Sequence, residues 1–288
     1  VHDGPGIRTT LFFKGCPLEC VWCSNPESQS MELELAYFSN KCQLCERCVK
    51  VCPHGVISVD NKELVFDRKK CTFCGKCVSV CPEAAIQIIK GKMAESKVRE
   101  TILADRLFFQ NSNGGVTLSG GEPLSDENVE QSEEILHFCR DNLIHTAVET
   151  CGYIPFMNLK GVAPLIDLLL FDIKIVDNKK HEEYTGADNT VILDNLKKIS
   201  KHDIEIIIRV PFIPGYNDNE QDIHDILNVA KENELTIIEL ILYHNFGVNK
   251  YKALGRKYSL SKDIEVNQSK VEYFINEGKR RGMDVSIA

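Results

Sequence analysis

Six short stretches of the chain are mostly apolar and rich in β-branched or aromatic residues: 9–13 (TTLFF), 115–118, 146–149, 168–171, 205–210 and 237–242. Each has the length of a strand. Between them, 96–109, 126–140, 190–201, 222–233 and 269–281 carry apolar residues at helical spacing. Largely apolar strands alternating with helices predict a parallel sheet whose outer face is covered by helices. Polar residues gather just after each strand, at 16–26, 119–123, 150–152, 172–174 and 243–244. In parallel α/β barrels the site lies at those C-terminal strand ends, and six units predict an open, partial (β/α)6 barrel. The alternation breaks once, between 32 and 92, where short apolar pieces separate runs of cysteine. The expected organisation is therefore a first strand and loop (1–31), an insertion (32–92) and the rest of the barrel (93–288).

Composition narrows the partners. With 288 residues and 43% hydrophobic content, a sizeable core is expected. The longest apolar run, near 167–171, is interrupted by charge, so no membrane span is expected. A net charge of −8 argues against nucleic acid or an anionic membrane surface, and the basic pairs at 197–198, 256–257 and 279–281 read as solvated faces. No leader pattern opens the chain. It begins at Val1 rather than Met, which reads as a missing short N-terminal piece.

Cysteine placement changes the picture most. Of 13 cysteines, eleven lie between Cys16 and Cys81 in three tight groups. A disulfide scaffold would be short and secreted. Closely spaced reduced thiols are metal ligands, which implies a cytoplasmic, reducing setting. Cys139 lies on the apolar face of a helix and reads as core, whereas Cys151 follows a strand end.

Cys42-x2-Cys45-x2-Cys48-x3-Cys52-Pro53 repeats 29 residues later as Cys71-x2-Cys74-x2-Cys77-x3-Cys81-Pro82. This spacing resembles that of bacterial two-cluster ferredoxins, whose fourth cysteine ligates the other cluster. It implies one [4Fe–4S] cluster on Cys42, Cys45, Cys48 and Cys81, and another on Cys71, Cys74, Cys77 and Cys52. Structural zinc also takes four thiolates, but usually from CxxC pairs separated by a long gap.

Cys16-x3-Cys20-x2-Cys23 has no fourth cysteine nearby. Three thiolates on a cubane leave one iron open, as catalytic metal sites require. The alternative is zinc completed by His2 or a distant residue. With Ser119-Gly120-Gly121-Glu122-Pro123 after the second strand, the loop resembles the radical S-adenosylmethionine (SAM) superfamily and its GGEP motif. Gly120 and Gly121 suit a backbone that approaches a ligand closely.

His2-Asp3-Gly4-Pro5-Gly6-Ile7-Arg8 before the three cysteines resembles the opening signature of glycyl radical enzyme activating enzymes. The double cysteine insertion resembles the larger members of that family. The resemblance implies three [4Fe–4S] clusters and SAM as cofactors. It implies a reaction in which reductive cleavage of SAM forms a 5′-deoxyadenosyl radical that takes hydrogen from a glycine of a partner enzyme. No catalytic acid or base is implied. Trp22, Cys23 and Ser24 are expected against the adenine, with Gly120, Gly121 and Glu122 at the methionine amino group. Asp172, Ile173 and Lys174 correspond to a DxK segment, Lys174 facing the methionine carboxylate. The resemblance makes Arg209 and His244 expected further cofactor contacts, and Asp3 and Arg8 part of the surface expected to grip the partner's glycine loop. Glu149-Thr150 stands where a relative lacking the insertion has Asp-Thr. A glycyl radical enzyme is the expected protein substrate, and a ferredoxin or flavodoxin the expected electron donor, in an anaerobic cytoplasm. The insertion serves either as an electron relay or as a docking element. The competing readings are another radical enzyme (a peptide maturase or a small-molecule enzyme), an electron-transfer protein and a structural zinc protein.

Overall fold

The computed structural model describes residues 3–91, 93–261 and 263–288; His2 lies outside them. Eleven strands are formed among these residues: β1 Arg8–Phe13, β2 Glu34–Tyr37, β3 Ile57–Asp60, β4 Glu63–Phe66, β5 Ile86–Ile89, β6 Gly115–Gly120, β7 His145–Thr150, β8 Leu168–Asp172, β9 Glu205–Phe212, β10 Ile237–Leu242 and β11 Asp284–Ile287. Seven of them make one all-parallel sheet in the order β1-β6-β7-β8-β9-β10-β11. The expected α/β partial barrel is present, with seven strands instead of six. The extra strand, β11, has four residues of which only Val285 is buried, too little for an apolar run to reveal.

Alternation along the strands sorts the two faces. Val116, Leu118, Val148, Leu169, Phe171, Ile208, Val210 and Leu240 belong to the large core beneath the helices. Ala147, Leu168 and Leu170 form a small separate cluster with Ile207. On these strands Glu149, Asp172 and Arg209 keep the inner-face phase of Ala147, Leu170 and Ile207, so the barrel interior becomes polar toward the strands' C-terminal ends.

The helices are α1 Arg47–Val51, α2 Lys76–Ser79, α3 Glu95–Ala104, α4 Arg106–Ser112, α5 Val129–Asp141, α6 Phe156–Val162, α7 Asn178–Thr185, α8 Thr190–Ile199, α9 Glu220–Glu232, α10 Gly247–Leu254 and α11 Gln268–Arg280. The single helix expected over 96–109 is two, α3 and α4. Asp105 leaves the helix between them and accepts a hydrogen bond from Thr9 Oγ1 on β1 at 2.6 Å.

Residues 34–89 build a unit of their own: two antiparallel pairs, β2–β5 and β3–β4, with α1 and α2 around a small core of Leu35, Val56, Ile57, Leu64 and Ile86. It is fastened to the barrel by α10. Ala36 packs with Ala253 and Leu254, and Arg68 donates to the Ala253 carbonyl at 2.9 Å. No helix among the described residues is long and apolar enough to cross a membrane.

Candidate active site and cysteine pockets

The loop after β1 is held from three sides. Gly15 has φ +87, a backbone region where a side chain is strained. Cys16 N–H donates to the Gln29 carbonyl, while Glu19 N–H (2.7 Å) and Val21 N–H (3.0 Å) donate to the carbonyls of Thr185 and Tyr184 at the end of α7. The turn after β6 docks on the same loop: Gly121 N–H donates to Phe13 at 2.9 Å and Glu122 N–H to Gly15 at 2.7 Å. A Cβ on Gly121 would stand 2.2 Å from the Gly15 carbonyl oxygen, so no other residue fits without displacing the loop. Glu122 is turned underneath. Its carboxylate accepts from Leu124 N–H, Thr150 Oγ1 and Cys151 N–H at 2.8–3.0 Å. Burial raises its carboxyl above the usual range, and Cys151, Leu124 and Thr150 oppose that by bonding the charged form.

Lys174 links the remaining parts. It pairs with Asp172 at 2.7 Å, and both side chains are largely buried. Burial works against its charge, but Asp172 and the thiols of Cys20 and Cys151 hold the ammonium well above the ordinary lysine value. The same ammonium acts on Cys16, Cys20 and Cys23. Burial pushes the Cys20 thiol up to about 12 and that of Cys23 to about 11. Burial therefore opposes the charged form of Cys20 and Cys23, which bound iron would take as thiolates. Cys16 and Cys151 share a side-chain hydrogen bond that lowers the first and raises the second. Cys151 thus faces the three-cysteine loop, a placement that only its strand-end position hinted at. Cys139 is fully buried in the large core.

Other expected site residues are placed as follows. Trp22 is buried edge-on to Tyr216 (5.7 Å) and beside Tyr184 (6.5 Å). Ser24 is half-buried. Ile173 is buried, its N–H donating to the Arg209 carbonyl. Arg209 bonds Glu149 at 2.8 Å and lies 3.7 Å from Glu239 and 4.0 Å from Asp3. Ser119 donates to the other oxygen of Glu149. Glu239 carries no warning in the sequence, being one acid inside an apolar strand. His244 is exposed and stacked on exposed Phe246 at 4.4 Å. Asp3 accepts from Thr10 Oγ1, and its carbonyl accepts from Thr117 Oγ1. Arg8, at the start of β1, is committed elsewhere. Its guanidinium donates to Thr117 Oγ1 and the Val116 carbonyl, both at 2.7 Å, and burial lowers its pKa to about 10. The structure therefore brings Asp3, but not the Arg8 head group, to Arg209 in the barrel interior.

The insertion sorts its eight cysteines into two pockets. One is lined by Cys42, Cys45, Cys48 and Cys81, the other by Cys52, Cys71, Cys74 and Cys77. The repeat extends to the backbone. Leu44 and Phe73 (φ 54 and 53), Glu46 and Gly75, and Gly55 and Ala84 all take the left-handed region, each pair 29 residues apart. Leu44 N–H and Phe73 N–H each donate to a cysteine sulfur at 3.4 Å, and Val56 N–H and Ala85 N–H do so at 3.3 Å. Such strain persists where a site determines the fold, and N–H groups aimed at sulfur suit thiolates on a cluster. Among the described residues no three His, Cys, Asp or Glu side chains close on a single ion. The quartets line pockets instead, as a cubane needs when each thiolate takes its own iron.

A parallel partial barrel with three open cysteines at the end of its first strand defines a radical SAM protein. The model of the radical SAM superfamily matches residues 68–227, with a 4Fe-4S dicluster domain matching 41–85 and a 4Fe-4S single cluster domain matching 2–59. The chain is 40% identical to the trans-4-hydroxy-L-proline dehydratase activating enzyme of Clostridioides difficile, over 94% of its own length and 90% of that protein's. It is 38% identical to the choline trimethylamine-lyase activating enzyme of Oleidesulfovibrio alaskensis, over 94% and 89%. Among solved structures, a domain of the pyruvate-formate lyase-activating enzyme from Bacteroides vulgatus matches with a TM-score of 0.50 and 26% identity, over 61% of this chain and 99% of that one. The chain belongs to this radical SAM family of activating enzymes. Membership favours the activating-enzyme reading of the sequence over the maturase, electron-transfer and zinc readings.

Proposed function

We propose that this protein activates a glycyl radical enzyme. When bound, a [4Fe–4S] cluster on Cys16, Cys20 and Cys23 supplies the electron that splits SAM into methionine and a 5′-deoxyadenosyl radical, which takes one hydrogen atom from a glycine Cα of the partner. The observation that carries the reading is the meeting of three separate motifs: the Gly121–Glu122 turn is hydrogen-bonded to Phe13 and Gly15 at the start of the cysteine loop, and Lys174, paired with Asp172, lies close enough to act electrostatically on all three of that loop's cysteines. Lys174 would hold the methionine carboxylate, and the Gly120–Gly121 backbone the amino group. Trp22, Ser24, Ile173, Arg209 and His244 are proposed to border the nucleoside side, and Asp3 to meet the partner's glycine segment. Arg8 would act by anchoring strands β6 and β7. Burial of the thiols and of Lys174 excludes water from the reacting centre.

The two cysteine quartets support two further [4Fe–4S] clusters in the insertion, 32–92, set into the barrel of 1–31 and 93–288. A ferredoxin or flavodoxin is the proposed donor and an anaerobic cytoplasm the proposed setting. The test is anaerobic reconstitution followed by dithionite and SAM. About twelve irons per chain are expected for three four-iron clusters, with 5′-deoxyadenosine formed. Formation should be lost in Cys20→Ala and retained in Cys45→Ala. Full iron without cleavage in the parent protein would refute the reading.

A further inference from the structure

Charge is distributed unevenly along this acidic chain. Residues 32–92 hold ten Lys or Arg against seven Asp or Glu, a net +3, whereas the remaining residues carry −11. Part of that positive charge surrounds a shallow groove of about 500 Å³ lined by Arg47, Lys50, Val51, Ser79, Val80, Cys81 and Pro82. The groove runs between α1 and α2. Val51 and Val80 are half-buried and form its apolar floor, while Arg47, Lys50, Ser79 and Pro82 are exposed on its rim. Among the described residues neither Arg47 nor Lys50 enters a salt bridge, unlike Lys70 of the same insertion, which Asp67 holds at 2.8 Å. The neighbouring acids are Glu46, exposed at the start of α1, and Glu83, which accepts a hydrogen bond from Gln43.

The position in the fold gives the groove a use. Val51 precedes Cys52 and Val80 precedes Cys81, the two cysteines that cross from one half of the insertion to the other's pocket. The groove is therefore lined by the residues that lead into both crossing cysteines, and it shares Arg47, Cys81 and Pro82 with the lining of the first pocket. Attachment to the barrel uses different groups: β2 packs on α10, and Arg68 reaches the Ala253 carbonyl. We propose that this groove is the docking surface for a small acidic ferredoxin, which delivers the single electron that SAM cleavage consumes and leaves oxidised by one electron. The inference rests on the proposed function, which requires an electron for each cleavage. Unpartnered cations around an apolar floor steer an acidic protein and fix its register. Weak electron-transfer encounters bury less than about 1,200 Å², so a shallow groove suffices.

The test is the affinity of the anaerobically reconstituted protein for a two-cluster acidic ferredoxin, measured by surface plasmon resonance at low and moderate salt. The dissociation constant should rise with salt. It should rise at least tenfold in Arg47→Glu/Lys50→Glu, and change less than twofold in Lys197→Glu/Lys201→Glu, which alters exposed charge on and just after α8. Dithionite-driven formation of 5′-deoxyadenosine should be unchanged in both. If the first variant loses iron, Arg47→Gln/Lys50→Gln, which removes charge without reversing it, decides by the same readout. An unchanged constant, an equal loss in the α8 variant, or a groove that takes flavodoxin but not ferredoxin would overturn the proposal. Failure of dithionite-driven cleavage in the parent protein would instead strike the function and leave the binding result standing.

Discussion

Replacing Glu122 tests whether the turn of Gly120 and Gly121 is held from beneath. Its carboxylate is wholly buried and accepts from two backbone N–H groups, Leu124 and Cys151, and from the Thr150 hydroxyl. A buried donor left without an acceptor costs roughly 1–3 kcal/mol. Glu122→Gln keeps one accepting oxygen and turns an NH2 toward one of the N–H groups, so it should cost about 1–3 kcal/mol. Glu122→Ala leaves both N–H groups and the hydroxyl without this partner and opens a void, for about 3–6 kcal/mol, against a total stability of ~5–15 kcal/mol. For a chain of this size each kcal/mol moves Tm by roughly 2–3 °C, so the alanine variant should melt about 10 °C lower and the glutamine variant about 5 °C lower. Anaerobic scanning fluorimetry on the reconstituted protein measures this, with SAM cleavage followed in parallel. If the two variants melt within about 2 °C of the parent, the carboxylate does not hold the turn and the account of the GGEP segment is wrong.

Lys174→Met should remove the cation from a buried pair with Asp172, destabilise by about 3–5 kcal/mol and weaken SAM binding, read by equilibrium dialysis; undiminished binding would rule out Lys174 as the carboxylate partner. Gly121→Ala places a Cβ 2.2 Å from the Gly15 oxygen and 2.7 Å from the Ser28 oxygen. It should abolish 5′-deoxyadenosine formation while leaving the insertion's iron in place, as measured by iron content and product assay. His145 and His181 are both held below the ordinary histidine value, chiefly by burial. The unfolded chain therefore takes up protons first as pH falls. Their contribution is fully present above about pH 6.5 and is lost as pH drops through the folded values. The urea midpoint should fall from about pH 7 to about pH 5, and less steeply in His145→Gln/His181→Gln.

The sequence shows its chemistry more plainly than its frame. Cysteine spacing, through its resemblance to that of two-cluster ferredoxins, separates the eight insertion cysteines into the two quartets that line the two pockets. The strand over 237–242 matches β10 residue for residue, since five of its six residues are apolar and the run has the length of a strand. Strand β11 and helix α7 escape for the opposite reason. They are short and bury little, Val285 in one and His181 and Thr185 in the other, so their order comes from neighbours. Helix α7 is nevertheless what receives the N–H groups of Glu19 and Val21. Arg8 marks a different limit. A motif places it beside Asp3, but β1 aims its head group at β6 and β7, a direction set by tertiary packing.

Helix α10 explains how an inserted unit is tied to the reacting centre. At its start, a Cβ on Gly247 would lie 3.1 Å from the Cys23 carbonyl oxygen, so helix and cysteine loop are in close contact. In its middle, Lys250 donates to Asn25 and Glu27, both at 2.7 Å. At its end, Ala253 accepts from Arg68, three residues before Cys71. Gly255, with φ +70, leaves room for the same guanidinium, which a side chain there would meet at 2.4 Å. Glu34 of β2 then closes the joint by pairing with buried Lys14, two residues before Cys16, and with Arg256. These contacts bind short rigid elements at both ends. Displacing the insertion would therefore strain the Cys16–Cys23 loop directly.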